Sequence, residues 1–281
     1  MLAKIIDGEK IAFEIKEKIL KKVEVLKQKG IIPGLAVIII GEDEASKLYV
    51  RNKERACRAT GIYSEKYELP EDVAECEVLD LIAKLNNKKN IHGILVQLPV
   101  PKHIDENKII DAISYNKDVD SFHPFNVGKI VIGQNGFVPC TPQGILELIK
   151  KQKIDVKGKE CVIVGSSNIV GKPMALLMVN NGATVTICNI FTKDLKHYCK
   201  RADILIVAVG KEKLITADMV KPGAVVIDVG MNRNKKGLLC GDVDFDEVSK
   251  IAGYITPVPG GVGPMTIAML LQNTVYSALN S

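Results

Sequence analysis

Ser46, Tyr49 and Lys53 stand three and four residues apart between Asp43 and Gly61. That spacing puts them on one face of a helix. An aromatic ring one turn from an amine suits a cleft where the ring stacks on a flat substrate and the amine moves a proton. A partly desolvated lysine loses basicity and can serve as a general acid or base. The plainer reading is a solvated lysine beside a half-buried tyrosine. Gln97-Leu98-Pro99-Val100-Pro101 closes an aliphatic run. Ligands in open α/β sheets bind beyond the carboxyl ends of strands, so Gln97 is a candidate polar group there, although turn chemistry alone explains the prolines. Lys117-Asp118-Val119-Asp120-Ser121-Phe122-His123 carries two carboxylates two residues apart. No third ligand follows at a metal-binding spacing, so no metal is expected. One carboxylate could instead accept two hydrogen bonds from the edge of a heterocycle, or simply cap a turn.

A second candidate lies in Gly165-Ser166-Ser167-Asn168-Ile169-Val170-Gly171-Lys172-Pro173, between an aliphatic run and an amphipathic stretch. Glycines there permit a tight turn whose amides, with the positive end of the helix, can meet a pyrophosphate. A plain strand-to-helix turn is the alternative. Ser167 replaces the second glycine of Gly-x-Gly-x-x-Gly, and Pro173 stands where a Walker A motif needs Ser or Thr, which disfavours a P-loop nucleotidase. The next strand ends Thr186-Ile187-Cys188-Asn189-Ile190 without an acid, so a ribose 2′-phosphate would meet no repulsion and NADP is favoured over NAD. Thr256-Pro257-Val258-Pro259-Gly260-Gly261-Val262-Gly263-Pro264-Met265-Thr266 holds three prolines and three glycines. Such a rigid wall, poor in side chains, suits a flat ring or a nicotinamide.

These segments need a scaffold of strands and helices in alternation. Ile11, Ile15, Ile19, Val23 and Leu26 recur at helical spacing, which predicts a helix over 8–29 with Gly30 as its C-cap. Leu35 to Ile40 predicts a strand buried on both faces, and Asp43 and Gly61 bracket a helix. Strands near 63–69 and 92–98 and a helix near 74–88 follow. Residues 99–140 are broken by prolines, with one short helix near 105–113. A second series has helices at 142–152, 172–181 and 193–200 and strands at 160–164, 184–188, 203–208 and 224–229, and ends in a helix over about 265–280. The alternation predicts an α/β protein with mainly parallel sheets, divided near residue 140.

The chain has 281 residues, is 47% hydrophobic and carries a net charge of +5. That mixture excludes a disordered chain and a coiled coil. The charge is too mild to indicate nucleic acid, though it suits an anionic small ligand. The longest aliphatic runs are six residues, against ~20 for a membrane span, and no secretory signal is visible. Seven cysteines without a Cys-x-x-Cys pair read as free thiols in a reducing, cytoplasmic compartment.

Together, Ser46-x-x-Tyr49-x-x-x-Lys53, Gln97-Leu98-Pro99-Val100-Pro101, Lys117-Asp118-Val119-Asp120, Gly165-x-Ser167-x-Ile169-Val170-Gly171-x-Pro173 and Pro257 to Thr266 resemble the bifunctional methylenetetrahydrofolate dehydrogenase/methenyltetrahydrofolate cyclohydrolase family. The resemblance runs from Gly8 to the last helix. It implies two α/β domains flanking a cleft: a folate-binding catalytic domain over 1–140, joined by the helix 265–281, and a Rossmann-like dinucleotide-binding domain over 141–264. It further implies that Lys53 is the catalytic amine, Tyr49 stacks on the folate, Gln97 tunes Lys53 and Asp120 holds the pterin edge. Pro257, Gly260 and Gly261 would line the substrate. Gly165, Ser166, Ser167, Ile190 and the backbone at Met231 would hold NADP. The partners implied are tetrahydrofolate one-carbon derivatives and a second copy in a homodimer, within one-carbon metabolism and purine biosynthesis. Another Rossmann-type dehydrogenase, or a nucleotide-binding module without chemistry, are the alternatives. Three positions depart from the family pattern: Ser166 where arginine is frequent, Asn189-Ile190 after the second strand of the dinucleotide-binding domain, and Ser121 where glycine is frequent.

Overall fold

The computed structural model describes residues 2–281. In chain order the elements are β1 (Lys4–Ile5), α1 (Gly8–Gln28), β2 (Gly34–Ile40), α2 (Glu44–Thr60), β3 (Tyr63–Leu69), α3 (Glu75–Asn87), β4 (Gly93–Val96), α4 (Glu106–Ala112), α5 (Pro124–Val131) and α6 (Cys140–Lys151). There follow β5 (Glu160–Val164), α7 (Gly171–Asn180), β6 (Thr184–Cys188), α8 (Leu195–Cys199), β7 (Ile204–Val207), β8 (Val225–Asp228), β9 (Asn232–Arg233), β10 (Leu239–Cys240), α9 (Phe245–Val248), β11 (Tyr254–Ile255) and α10 (Val262–Leu279).

The chain forms two compact units. One comprises residues 13–140 and 267–281. Its parallel sheet has the order β3-β2-β4. β2 is buried along its whole length, as an unbroken aliphatic run requires when helices cover both faces. α2 is bounded as its sequence predicts: the Asp43 carboxylate accepts from Ser46 N at 2.7 Å, and Gly61 takes the left-handed conformation at φ 72°. The last helix is tied into this unit by buried polar groups. Asn273 donates to the carbonyls of Val119 (2.8 Å) and Val138 (3.1 Å), and Ser277 to those of His92 (2.6 Å) and Asn116 (2.8 Å).

The other unit comprises the first twelve residues and 141–266. Its six-stranded parallel sheet has the order β1-β11-β8-β7-β5-β6. The chain leaves β5 for β6 on one side and returns to β7 on the other. That reversal is the switch point where open α/β sheets bind ligands. The boundary expected for residues 1–140 needs one correction: Lys4 and Ile5 pair with Tyr254 and Ile255 and so extend the six-stranded sheet. Two elements differ from expectation as well. Pro124 begins α5 rather than breaking the chain, since a missing N–H costs nothing at a first helical position. α10 begins at Val262 and takes Gly263 and Pro264 into its first turn. Among the described residues, no helix is long and apolar enough to cross a membrane.

Candidate functional site

α2 and the end of β4 bring together the groups singled out by spacing and by resemblance. Lys53 is 93% removed from solvent, and its Nζ donates to Gln97 Oε1 at 2.9 Å. Gln97 is itself fixed: its amide nitrogen Nε2 donates to the Leu98 carbonyl (2.8 Å) and its backbone N–H to the Ile38 carbonyl (2.8 Å). Burial pushes the Lys53 pKa down, while the charge on Asp120 and the thiols of Cys140 and Cys57 pull it back up. Tyr49, one turn away, is half-buried, and burial raises its pKa.

The two carboxylates of the Asp-Val-Asp stretch divide into different roles. Asp118 is buried and fully engaged, accepting from His123 N (2.9 Å), Phe122 N (3.3 Å) and Asn126 Nδ2 (2.9 Å). It shapes the turn. Asp120 is half-buried and is the carboxylate that faces Lys53 electrostatically. Burial raises its pKa, opposed by Lys53 and by the thiol of Cys140. Cys140 also donates to the Val119 carbonyl at 3.3 Å, the carbonyl that Asn273 holds. Spacing gave no hint of Cys140, Asn126 or Asn273, because each reaches the site from a distant segment.

Ser121 is the anomaly here. It is fully buried, adopts φ 63°, and its hydroxyl has no hydrogen-bond partner among the described residues. The left-handed backbone is the physical reason a glycine suits this position. A left-handed non-glycine residue costs roughly 1–2 kcal/mol, and an orphaned buried hydroxyl about 1–3 kcal/mol. Glycine's extra unfolded-state entropy returns only ~1 kcal/mol of this. Ser121→Gly should therefore raise stability by about 1–3 kcal/mol, read as a shift in the denaturant midpoint at constant slope. An unchanged or lower midpoint would show that the hydroxyl finds a partner.

In the other unit, Gly165 follows β5 at φ 120°, and a Cβ there would lie 2.2 Å from the Ala208 carbonyl oxygen. A Cβ on Gly171 would lie 2.1 Å from the Gly165 carbonyl oxygen. The turn thus folds back on itself with backbone where side chains would be, a cradle that only glycine permits. Ser167 Oγ accepts from Val170 N (3.2 Å) and Gly171 N (3.4 Å), closing the turn that leads into α7. Ser166 is half-buried, and Ile190 and Met231 are exposed beyond the ends of β6 and β8. These groups fit a dinucleotide: bare backbone at a helix N-terminus, at a sheet switch point. Pro257, Gly260 and Gly261 lie in the segment packed on the start of α1. Glu9 N donates to the Gly260 carbonyl (3.1 Å), and a Cβ on Gly8 would lie 1.8 Å from the Gly261 carbonyl oxygen. Gly8 and Gly261, whose own Cβ would lie 2.5 Å from the Pro257 carbonyl oxygen, serve close packing, whereas Gly260 supplies a backbone at φ 100°.

Residues 6–120 match the family model described as tetrahydrofolate dehydrogenase/cyclohydrolase, catalytic domain. Residues 139–281 match that described as tetrahydrofolate dehydrogenase/cyclohydrolase, NAD(P)-binding domain. The chain belongs to the tetrahydrofolate dehydrogenase/cyclohydrolase family. It is 60% identical to the bifunctional protein FolD of Agathobacter rectalis over 98% of each chain. Among solved structures, the bifunctional FolD methylenetetrahydrofolate dehydrogenase/cyclohydrolase of Campylobacter jejuni is 53% identical with a TM-score of 0.98, covering 99% of both chains. The dehydrogenase-cyclohydrolase of Trypanosoma brucei, solved with NADP cofactor and inhibitor, is 38% identical with a TM-score of 0.96, covering 100% of this chain and 98% of that one.

The unit of the six-stranded sheet also buries two carboxylates that spacing did not single out. Asp228 is buried and accepts from the backbone of Gly230 (2.9 Å), Asp242 (3.0 Å) and Val243 (2.9 Å). Burial nonetheless pushes its pKa up to about 6. Neither Asp228 nor Asp242 carried a sequence signal beyond its carboxylate.

Proposed function

We propose that this protein oxidises 5,10-methylenetetrahydrofolate to the 5,10-methenyl derivative with NADP⁺ and hydrolyses that product to 10-formyltetrahydrofolate. The observation that carries the reading is a buried lysine, held by a glutamine, beside a half-buried carboxylate with few other partners. A nucleotide-binding module has no use for such a lysine.

A bound nicotinamide would supply the acceptor for the hydride of the methylene carbon. Tyr49 stacks on the folate and orients it, and Asp120 accepts hydrogen bonds from the donor edge of the pterin. Orientation is most of what a hydride transfer asks of a protein. In the hydrolysis, water adds to the electrophilic methenyl carbon. Lys53, its basicity lowered by burial, takes one proton from that water and passes it to the departing ring nitrogen, while the hydroxyl proton of the adduct is released to solvent as the formyl C=O forms and the C–N bond to that nitrogen breaks. Gln97 fixes the direction of Nζ through the 2.9 Å hydrogen bond. Pro257, Gly260 and Gly261 form a backbone wall for the bound rings. The Gly165–Gly171 turn would hold the dinucleotide, with Ser166, Ser167, Ile190 and the backbone at Met231 as the residues that bind it.

The reading includes a cytoplasmic homodimer that takes tetrahydrofolate derivatives, not nucleic acid or membrane, and supplies purine biosynthesis. All seven cysteines are free, as in a reducing compartment.

The test follows NADPH formation and methenyl decay by absorbance with methylenetetrahydrofolate as substrate. Absence of either step would overturn the corresponding half of the proposal. We expect kcat/KM for NADP⁺ to exceed that for NAD⁺ by about 10–100-fold, from two neutral hydrogen bonds of ~0.5–1.5 kcal/mol each to the 2′-phosphate. Ser166 and Asn189 can supply them. The Asn189 carbonyl oxygen Oδ1 already accepts from Phe191 N at 3.0 Å, which leaves its amide to donate. Ser166→Arg should widen the margin, and equal use of NAD⁺ would overturn the preference.

A further inference from the structure

The Asp242 carboxylate is buried beneath the loop that follows β7. Its Oδ2 accepts from Val209 N (2.7 Å) and Gly210 N (3.1 Å). Its Oδ1 accepts from Lys211 N (2.8 Å) and Asn232 Nδ2 (2.9 Å). Three consecutive backbone amides converging on one anion make a nest, and here the anion is the protein's own. The backbone of Asp242 is held in turn by Asp228 Oδ1 at 3.0 Å. The pair is closely fitted: a Cβ on Gly230 would lie 2.3 Å from Asp242 Cγ, and one on Gly241 only 1.9 Å from Asp228 Oδ2.

The loop so held adjoins the phosphate turn. The nearest atoms to a Cβ on Gly165 are the carbonyl of Ala208 and, at 3.5 Å, the Val209 side chain. Moving residues 209–211 would therefore move the backing of that turn. Asn232, the fourth donor, follows Met231 directly. One carboxylate thus fixes the strand ends of both β7 and β8, the edge where dinucleotides bind in such sheets.

We infer that Asp242 is a positioning residue for the dinucleotide site: its carboxylate, without touching the cofactor, locks the loops after β7 and β8 against the Gly165 turn. The inference rests on the proposed use of NADP⁺.

Asp242→Asn keeps the shape but not the acceptors. Whichever way the amide turns, its NH₂ meets two donors. The variant should show a KM for NADP⁺ raised on the order of tenfold, from the loss of well-made charge-assisted bonds that order the loop. The KM for the folate and the rate of methenyl hydrolysis, which uses no dinucleotide, should stay within about twofold of wild type. Asn232→Ala removes one donor at a half-buried position and should give the same selectivity at smaller amplitude. Amide hydrogen exchange at residues 209–211 should accelerate in both variants.

A parallel fall of both activities in both variants would mark a general structural role and overturn the inference. So would an unchanged KM for NADP⁺ alongside accelerated exchange. Failure of the unsubstituted protein to bind NADP⁺ by calorimetry would overturn the activity reading instead, and the two failures are told apart by that control.

Discussion

In a Lys53→Met protein, hydrolysis of the methenyl derivative is expected to fall by about 10²–10⁴-fold, the range for loss of a positioned acid or base. The fall should come with folate affinity and thermal midpoint near those of the unsubstituted protein. Methionine matches the lysine stem in length and is indifferent to burial, so the pocket keeps its packing. The substitution leaves Gln97 Oε1 without its donor, but Gln97 keeps its bonds to Leu98 and Ile38, so its place is held. The pH profile separates chemistry from packing. Burial lowers the Lys53 pKa, so the hydrolysis rate of the unsubstituted protein should show a limb below the ordinary lysine range, and the methionine variant should lack it. Wild-type hydrolysis in Lys53→Met would remove the lysine from the mechanism.

The parts of this site that repeat locally were legible in the sequence. The +3 and +4 steps from Ser46 to Lys53 predict one helical face, and Asp43 and Gly61 fix the ends of that helix because each satisfies backbone groups within its own turn. The aliphatic runs of β2, β5 and β7 predict strands covered on both faces for the same local reason. What was not legible depends on partners far along the chain. β1 has two residues and exists only through its pairing with β11. The Lys53–Gln97 bond spans 44 residues, so no helical or strand period connects the two, and the resemblance to a family supplied what spacing could not. Asp228 and Asp242 read as ordinary acids; their role lies in the backbone amides that converge on them. The sequence suggests a break at Pro124 and a rigid stretch through Pro264 ahead of the last helix, yet both prolines sit in first helical turns, because a proline that starts a helix and one that ends a chain segment look alike without the cap. In the Asp-Val-Asp stretch the sequence offers two equal carboxylates, and only the three donors gathered on Asp118 reveal which one remains for a ligand.

That division leads to the second large effect. Asp120→Ala should weaken folate binding on the order of 10²-fold and leave NADP⁺ affinity unchanged. A desolvated carboxylate that accepts two hydrogen bonds from a heterocycle contributes about 2–4 kcal/mol, and each 1.4 kcal/mol is about tenfold in Kd. The substitution should be tolerated by the fold, since the turn depends on Asp118 and on the Val119 carbonyl that Asn273 and Cys140 hold. It also carries a signature that a simple loss of contact would not. The Asp120 charge raises the Lys53 pKa against burial. Removing it leaves burial less opposed, so the Lys53 pKa falls further. The limb of the hydrolysis profile, measured at saturating folate, should move to lower pH in Asp120→Ala. Lys53 is more fully neutral at a given pH in that variant and a weaker base once neutral, so the limb moves while the plateau drops. Titration calorimetry for both ligands, with the pH profile, checks the whole chain of reasoning. Unchanged folate affinity would return Asp120 to the role of a turn residue, and an unmoved limb would show that its charge does not reach Lys53.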